Sequence, residues 1–587
     1  WGGSVSFFAP KPRIPGYHAG EDLGNTPAAV RLDGVRKRAL ETGRARLAAT
    51  ALVFLAAYAL ITVRMIDVAV LDGTTAKPRA LPTARTEGLE MERADITDRS
   101  GVILATSLPT VSLYAKAYEI LDPAEAATKL VSVLPDLNKT EVQVRLASGK
   151  QFVWLRRNLT PRQQYDVNAL GIPGLYFEKG ERRVYPHGNL AAHIVGMTDI
   201  DNKGIAGIEK RFDPGLHGSH QPVRLSIDVR AQTVVRNELL KAMAEFKALG
   251  ALGMVLDIHT GEMLAMVSLP DFDPNDPPAG QPEALFNRAT KGAYEMGSTM
   301  KLFNTALAFE SGKFNVNTPV DCTKPIVFAG HTIHDDHALN RWASVAEVLI
   351  HSSNIGSAHM ALEVGTEAQR AFMAKLGMLH TPTIELPEVG GPLVPNPWRE
   401  INTVTISFGH GLSITPLQLV QGVAALVNGG TFHPVTLVAR SEDQPLPGDR
   451  VIKQKTSDQV RSLMRMVVTE GTGKKADVAG YEVGGKTGTA EKAVNGSYKK
   501  KAVLSSFVAA FPVDDPRYVV LASIDEPQGT KETYGFITAG WNAAPVAGRI
   551  IAQIAPLMGL MPKAIPPAPA LGGKVAGTGS KDSAAVD

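Results

Sequence analysis

The spacing of apolar positions changes along this chain, and each change marks a segment. The first long apolar run is Leu47 to Val63, seventeen residues without a charge, closed by Arg46 and Arg64. A helix of that length, at about 1.5 Å per residue, falls slightly short of a ~30 Å hydrocarbon layer, and arginines at both ends can reach the interface. One transmembrane helix is therefore expected over residues 47–66. A buried core helix would carry a polar stripe, which this run lacks. A cleaved leader would have to use Ala57-Tyr58-Ala59, inside the run and behind far too long a preceding segment.

Between about 67 and 225 short alternating stretches such as Val102 to Ala105 and Val111 to Ala115 are broken by frequent turns, which predicts a mixed α+β domain. From 226 to 560 the pattern predicts an α/β domain, an antiparallel sheet flanked by helices. Gly253 to Asp257 and Glu262 to Ser268 read as one hairpin around Ile258 to Gly261. Leu504 to Phe511 and Arg517 to Ile524 read as another around Pro512 to Pro516, with a strand over Tyr481 to Ala490 before it. Val546, Ile550 and Ile554 share one face of a last helix, Ala544 to Ile554, suited to lie on that sheet. Residues 561–587, rich in Pro, Ala, Gly and Ser, cannot bury a core and are expected to be disordered.

Charge adds orientation. Residues 1–46 carry more Lys and Arg than Asp and Glu, which places this tail in the cytoplasm and everything after the span outside. Over the whole chain 61 basic residues face 58 acidic ones, so no global field argues for nucleic acid. The only cysteine is Cys322, which excludes an internal disulfide and a multi-cysteine metal site.

Candidate chemistry begins at Ser298-Thr299-Met300-Lys301, just before the apolar run Leu302 to Phe309. Residues i and i+3 are neighbours on a helix, so an amine stands beside a hydroxyl. The lysine can serve as base if burial or a nearby cation lowers its pKa. Alone the pattern is weak, for Ser497-Tyr498-Lys499-Lys500 repeats it in a lysine-rich stretch that reads as an exposed turn. Two further motifs occur once each: Ser352-Ser353-Asn354, where the apolar helix Val345 to Ile350 ends, and Lys486-Thr487-Gly488-Thr489, beside Gly484-Gly485.

In this order the three motifs resemble the signature of penicillin-recognising serine acyltransferases and β-lactamases. With the anchor, Arg93 to Gly101 and Arg182 to Glu209, the chain resembles the class B penicillin-binding proteins from about residue 47 to 555, residues 67–225 being similar to their non-catalytic pedestal. Ser352 to Gly356 and Gly409 to Leu419 resemble the division-specific branch. The resemblance implies a septal peptidoglycan D,D-transpeptidase, a target of β-lactams, that needs neither metal nor other cofactor. It implies that Ser298 attacks a stem-peptide carbonyl and expels D-alanine, that Lys301 takes the serine proton, and that Ser352 relays it to the leaving amine. Asn354 would hold the donor backbone, and Lys486, Thr487, Gly488 and Thr489 its terminal carboxylate. The N–H groups of Ser298 and Thr489 would form the oxyanion hole. Implied partners are peptidoglycan stem peptides, the glycan polymerase FtsW and other divisome proteins contacted through the span and pedestal, and the inner membrane. The catalytic domain would be periplasmic.

Other residues suggest alternatives. His331, His334, Asp335, Asp336 and His337 could be drawn as a zinc site, but a polar approach to the next helix is expected instead. Dense Arg and Asp in Arg93 to Gly101 predict a structural ion-pair network. Cys322 is expected to be inert, and Glu526, past a strand end, has an open role. A hydrolase of the same superfamily and a division scaffold are the competing readings.

Overall fold

The computed structural model of the chain describes residues 46, 48–62, 93–219, 221–328, 330–441, 446–494 and 497–564. The tails expected over 1–46 and 561–587 lie outside these apart from Arg46 and residues 561–564. The chain divides into two units, Trp1–Gly88 and Leu89–Asp587. In the first, residues 48–62 are helical with Leu52, Leu55 and Leu60 exposed. Among the described residues no helix is long and apolar enough to cross a membrane, and Leu47 and residues 63–66 of the expected span fall outside them.

The second unit opens with the α+β region. Strand β1 (Ile96–Thr97) pairs antiparallel with the long β2 (Ile103–Ala115), which in turn pairs with β3 (Val153–Leu159) and β4 (Leu175–Val184). Helices α1 (Pro123–Val133), α2 (Lys139–Leu146) and α3 (Pro161–Ala169) supply Leu130, Leu146 and Val167 to a core shared with Leu113, Leu155 and Leu159 of the sheet. Each helix starts at a polar cap, Asp122, Asn138 or Thr160, whose side chain accepts an otherwise unpaired N–H of the first turn. The predicted ion-pair network sits below this core. Arg93 and Arg183, both buried, donate to opposite oxygens of the buried Glu209 carboxylate at 2.7 and 2.6 Å.

The larger sheet is built from β5 (Gly250–Asp257), β6 (Met263–Leu269), β7 (Gly484–Val494), β8 (Ser497–Phe511) and β9 (Tyr518–Asp525). All pairings are antiparallel, and the order across the sheet is β7-β8-β9-β5-β6. Both predicted hairpins are present. Ser497 does not stand in an exposed turn as expected: it opens β8 opposite Val494, because the lysine-rich segment continues the hairpin arm instead of leaving it.

Strands β5, β6 and β9 are buried at every position. The period-two alternation sorts their side chains between two cores. Tyr518, Val520, Ala522 and Ile524 face α4 (Val229–Phe246) and α5 (Ala543–Leu557), the predicted last helix. Val519 and Leu521 face a helical lobe containing Phe303, Leu417 and Val423. That second core also takes in Ala94, Ile96 and Ile208, so the base of the α+β region is packed into the same apolar mass as the helical lobe. The edge strand β7 is left beside the first turn of the helix Lys301–Glu310, where the chemistry gathers.

Candidate active site

Ser298 lies in a single 3-10 turn, Gly297–Met300, which leads directly into the buried helix Lys301–Glu310. The apolar side chains after Lys301 anchor that helix in the core, so its first turn has little freedom. Lys301, 1% exposed, reaches back so that Nζ is 2.9 Å from Ser298 Oγ. The same Nζ is 2.7 Å from Ser352 O, 3.1 Å from Ser352 Oγ and 2.7 Å from Asn354 Oδ1. The amine thus touches two of the three motifs.

The second motif occupies the corner between helices Val345–Ile350 and Asn354–Val364. Ser352 takes a left-handed backbone conformation, φ 61°, which turns its carbonyl and its hydroxyl together toward Lys301. Asp335 fixes the start of the second helix. Its carboxylate accepts from the backbone N–H groups of Asn354 and Ile355 at 2.5 and 2.9 Å and from Ser353 Oγ at 2.8 Å, so it serves as the anion at this helix N-terminus. Asn354 Nδ2 donates to His334 O at 2.9 Å. The segment His331 to His337 is therefore the polar approach expected of it, and its functional member is Asp335.

The third motif is on β7. Lys486, fully buried, donates to Ser352 Oγ at 3.0 Å and to Thr487 O at 3.2 Å. Thr487 Oγ1 is 2.7 Å from Thr472 Oγ1, and Thr489 Oγ1 accepts from Ala539 N at 3.1 Å. Gly488 is required by closeness: a Cβ there would lie 2.6 Å from Met296 O and 2.7 Å from Thr299 Cγ2. Any side chain would push the strand off the turn that carries Ser298.

Burial lowers the Lys301 pKa to about 7, against the opposing pull of Asp335 and Asp336. Burial also holds Lys486 well below the ordinary lysine range, helped by the charge of Lys301. Dehydration is thus the leading cause at both amines. A near-neutral amine within hydrogen-bond reach of a hydroxyl is a competent general base.

Ser298, Lys301, Ser352, Asn354, Lys486, Thr487, Gly488 and Thr489 are all brought to one place. Thr472 is not marked by any motif in the sequence, where only its place between Gly471 and Gly473 hints at a close approach, and Asp335 is there one of five candidates with nothing to set it apart. Cys322 is buried with its thiol pushed up by that burial, which fits an inert residue. Glu526 is in an ion pair with Lys492 at 2.8 Å.

Comparison with known proteins agrees with this arrangement. The profile of the penicillin binding protein transpeptidase domain matches residues 251–551, and that of the penicillin-binding protein dimerisation domain matches residues 89–241. The probable peptidoglycan D,D-transpeptidase FtsI of Caulobacter vibrioides is 39% identical over 81% of this chain and 83% of its own length. Peptidoglycan D,D-transpeptidase FtsI of Escherichia coli is 30% identical over 82% and 86%. The transpeptidase domain of Burkholderia pseudomallei penicillin-binding protein 3 superposes with a TM-score of 0.53 at 33% identity, covering 58% of this chain and 98% of that one. The chain belongs to the class B penicillin-binding proteins, among the FtsI-type peptidoglycan D,D-transpeptidases of cell division.

Proposed function

We propose that this chain cross-links septal peptidoglycan by a ping-pong reaction at Ser298. Lys301 removes the Ser298 proton as Oγ attacks the carbonyl between the last two residues of a donor stem peptide. The carbonyl oxygen, carrying the developing charge, is held by the N–H groups of Ser298 and Thr489. The C–N bond then breaks. The proton passes from Lys301 through Ser352 Oγ to the leaving amine of D-alanine, and an ester on Ser298 remains. An acceptor amine then attacks the ester carbonyl, the C–O bond to Ser298 breaks as the new amide forms, and the amine proton returns through Ser352 and Lys301 to Ser298 Oγ, so Lys301 and Ser298 end as they began. Lys486, Thr487, Gly488 and Thr489 hold the donor's terminal carboxylate, whose charge restores the ammonium form of Lys486, while Asn354 positions the donor backbone.

The observation that carries this reading is the continuous set of contacts Ser298–Lys301–Ser352–Lys486, all within 3.1 Å. Residues 1–46 are read as the cytoplasmic tail, 47–66 as the membrane anchor, 67–225 as the periplasmic pedestal, 226–560 as the transpeptidase domain and 561–587 as a tail. The exposed Leu52, Leu55 and Leu60 support a lipid-facing helix. The anchor and pedestal are the surfaces assigned to FtsW and other divisome partners. A fluorescent penicillin is expected to label the chain covalently and lastingly. Ser298→Ala abolishes the label and Ser497→Ala does not; a label that survives Ser298→Ala overturns the reading, and rapid turnover of the penicillin favours a hydrolase instead.

A further inference from the structure

We propose that Glu295 is a positioning residue for acylation: its carboxylate clamps the turn Gly409 to Gly411 against the turn that carries Ser298. This rests on Ser298 being the nucleophile. Tyr294–Glu295 pairs antiparallel with Ser413–Ile414, Glu295 standing opposite Ser413. Its side chain spans the gap to the turn before Ser413. Oε1 accepts from Gly411 N–H at 2.7 Å, and Oε2 lies 2.9 Å from His410 Nδ1. The carboxylate is largely buried, so water competes little for either contact.

The held turn reaches the nucleophile through bare backbone. Gly297 N–H donates to Gly409 O at 3.2 Å. Gly409 has φ 99°, and a Cβ on it would lie 1.9 Å from Gly297 O, so the two chains meet with no room for a side chain between them. Gly297 itself has φ 52°. Its conformation directs the next peptide, which bears the Ser298 N–H proposed for the oxyanion hole and leads to Oγ.

Two glycines in contact cannot fix each other, because each is free to leave the left-handed region. Something outside the contact must hold it, and Glu295 is placed to do so. It joins the strand entering the nucleophile turn to two successive residues of the turn resting on it. A Leu393–Ser413 backbone pair, at 2.9 and 3.1 Å, braces the far side of the same ribbon. No step of the reaction passes through Glu295, so its effect falls on how well the transition state is met and not on how the ligand first binds.

The test is stopped-flow acylation of the full chain by a fluorescent penicillin, resolving the non-covalent Kd from the acylation rate constant. E295A is expected to lower the rate constant about 100-fold, the scale of an ångström-level misplacement at a reacting centre, with Kd changed by less than about threefold. E295Q keeps an oxygen for Gly411 N–H and faces His410 with an amide that its other tautomer accepts, so it should recover to within about fivefold of the parent. E295D, one methylene too short to span the gap, should resemble E295A and serves should E295A not fold. An unchanged rate constant in E295A or E295D overturns the proposal, as does E295Q being as slow as E295A or a loss confined to Kd. A label on Ser298→Ala would instead refute the nucleophile, which separates the two failures.

Discussion

Lys301 and Lys486 share one acceptor, their Nζ atoms lying 3.1 and 3.0 Å from Ser352 Oγ. Both amines are buried, and two ammonium groups across one hydroxyl repel each other. They therefore titrate as a pair, with at most one charge favoured in the absence of a ligand. An incoming carboxylate would settle that charge on Lys486. The base would then stay neutral while the anchor is charged, which is the division of labour the chemistry needs.

Acylation should accordingly follow the neutral form of Lys301, whose pKa burial lowers to about 7. A protonated amine cannot take the Ser298 proton, so the rate falls as pH drops through that value and levels off above it. One unit below it the acylation rate constant is expected to be about tenfold under the plateau. Stability moves in the same sense. Between about 7 and 10.5 the unfolded chain binds a proton at this position that the folded chain does not, so this group's contribution rises with pH across that window. A flat acylation profile from about pH 5 to pH 9 would remove Lys301 from the role of base.

Asp335→Asn should separate position from charge at the second motif. The carboxylate receives two backbone N–H groups and the Ser353 hydroxyl, and it also raises the Lys301 pKa. Without the negative charge the Lys301 pKa falls further, so the acidic limb of the acylation profile moves to lower pH. The loosened Ser352–Asn354 corner lowers the plateau, by about tenfold if the Lys301 contacts lengthen by a few tenths of an ångström. Stability falls by about 1 kcal/mol, the usual worth of a helix N-terminal acceptor. A pH profile with a thermal melt of each variant reads all three, and a limb displaced to higher pH would contradict the assignment.

The hairpins and the flanking helix were legible because strands such as Tyr518–Asp525 are short, largely apolar runs with β-formers at Tyr518, Val519, Val520 and Ile524, and the apolar stripe of Ala543–Leu557 has one period. The three motifs were legible because each is contiguous. What could not be read was any contact made across the chain by a single side chain. Asp335 stood among five equivalent polar candidates until the backbone of Asn354 and Ile355 picked it out. Glu295 had no periodicity to mark it, since its partners His410 and Gly411 come from a distant turn. The left-handed Ser352 and the 3-10 turn at Ser298 carry no propensity signal either; tertiary packing imposes them. Ser497 differs for the opposite reason: a lysine-rich hairpin arm near a sheet edge, a composition such edges commonly have, resembles a loop in sequence.

Arg93→Ala tests whether the α+β region depends on its buried charges. Arg93 is fully buried, with Nε 2.7 Å from Glu209 Oε2, Nη2 2.9 Å from Glu209 O and Nη1 2.7 Å from Asp213 Oδ1. Truncation leaves Glu209 with Arg183 alone and removes the shared cation between Glu209 and Asp213. Breaking a buried pair this way costs about 3–5 kcal/mol, because the remaining charge keeps its dehydration penalty without its partner. Arg93→Lys should recover little, since a point charge cannot reproduce a fork that contacts a carboxylate edge-on and a carbonyl and second carboxylate beside it. Arg93 touches none of the residues around Ser298, so the acylation rate constant of the protein that remains folded should be unchanged. Denaturant unfolding, read alongside penicillin acylation, checks both halves: a loss below about 1 kcal/mol would mean that water reaches the Glu209 carboxylate once Arg93 is gone, and that apolar packing, not this network, holds the region together.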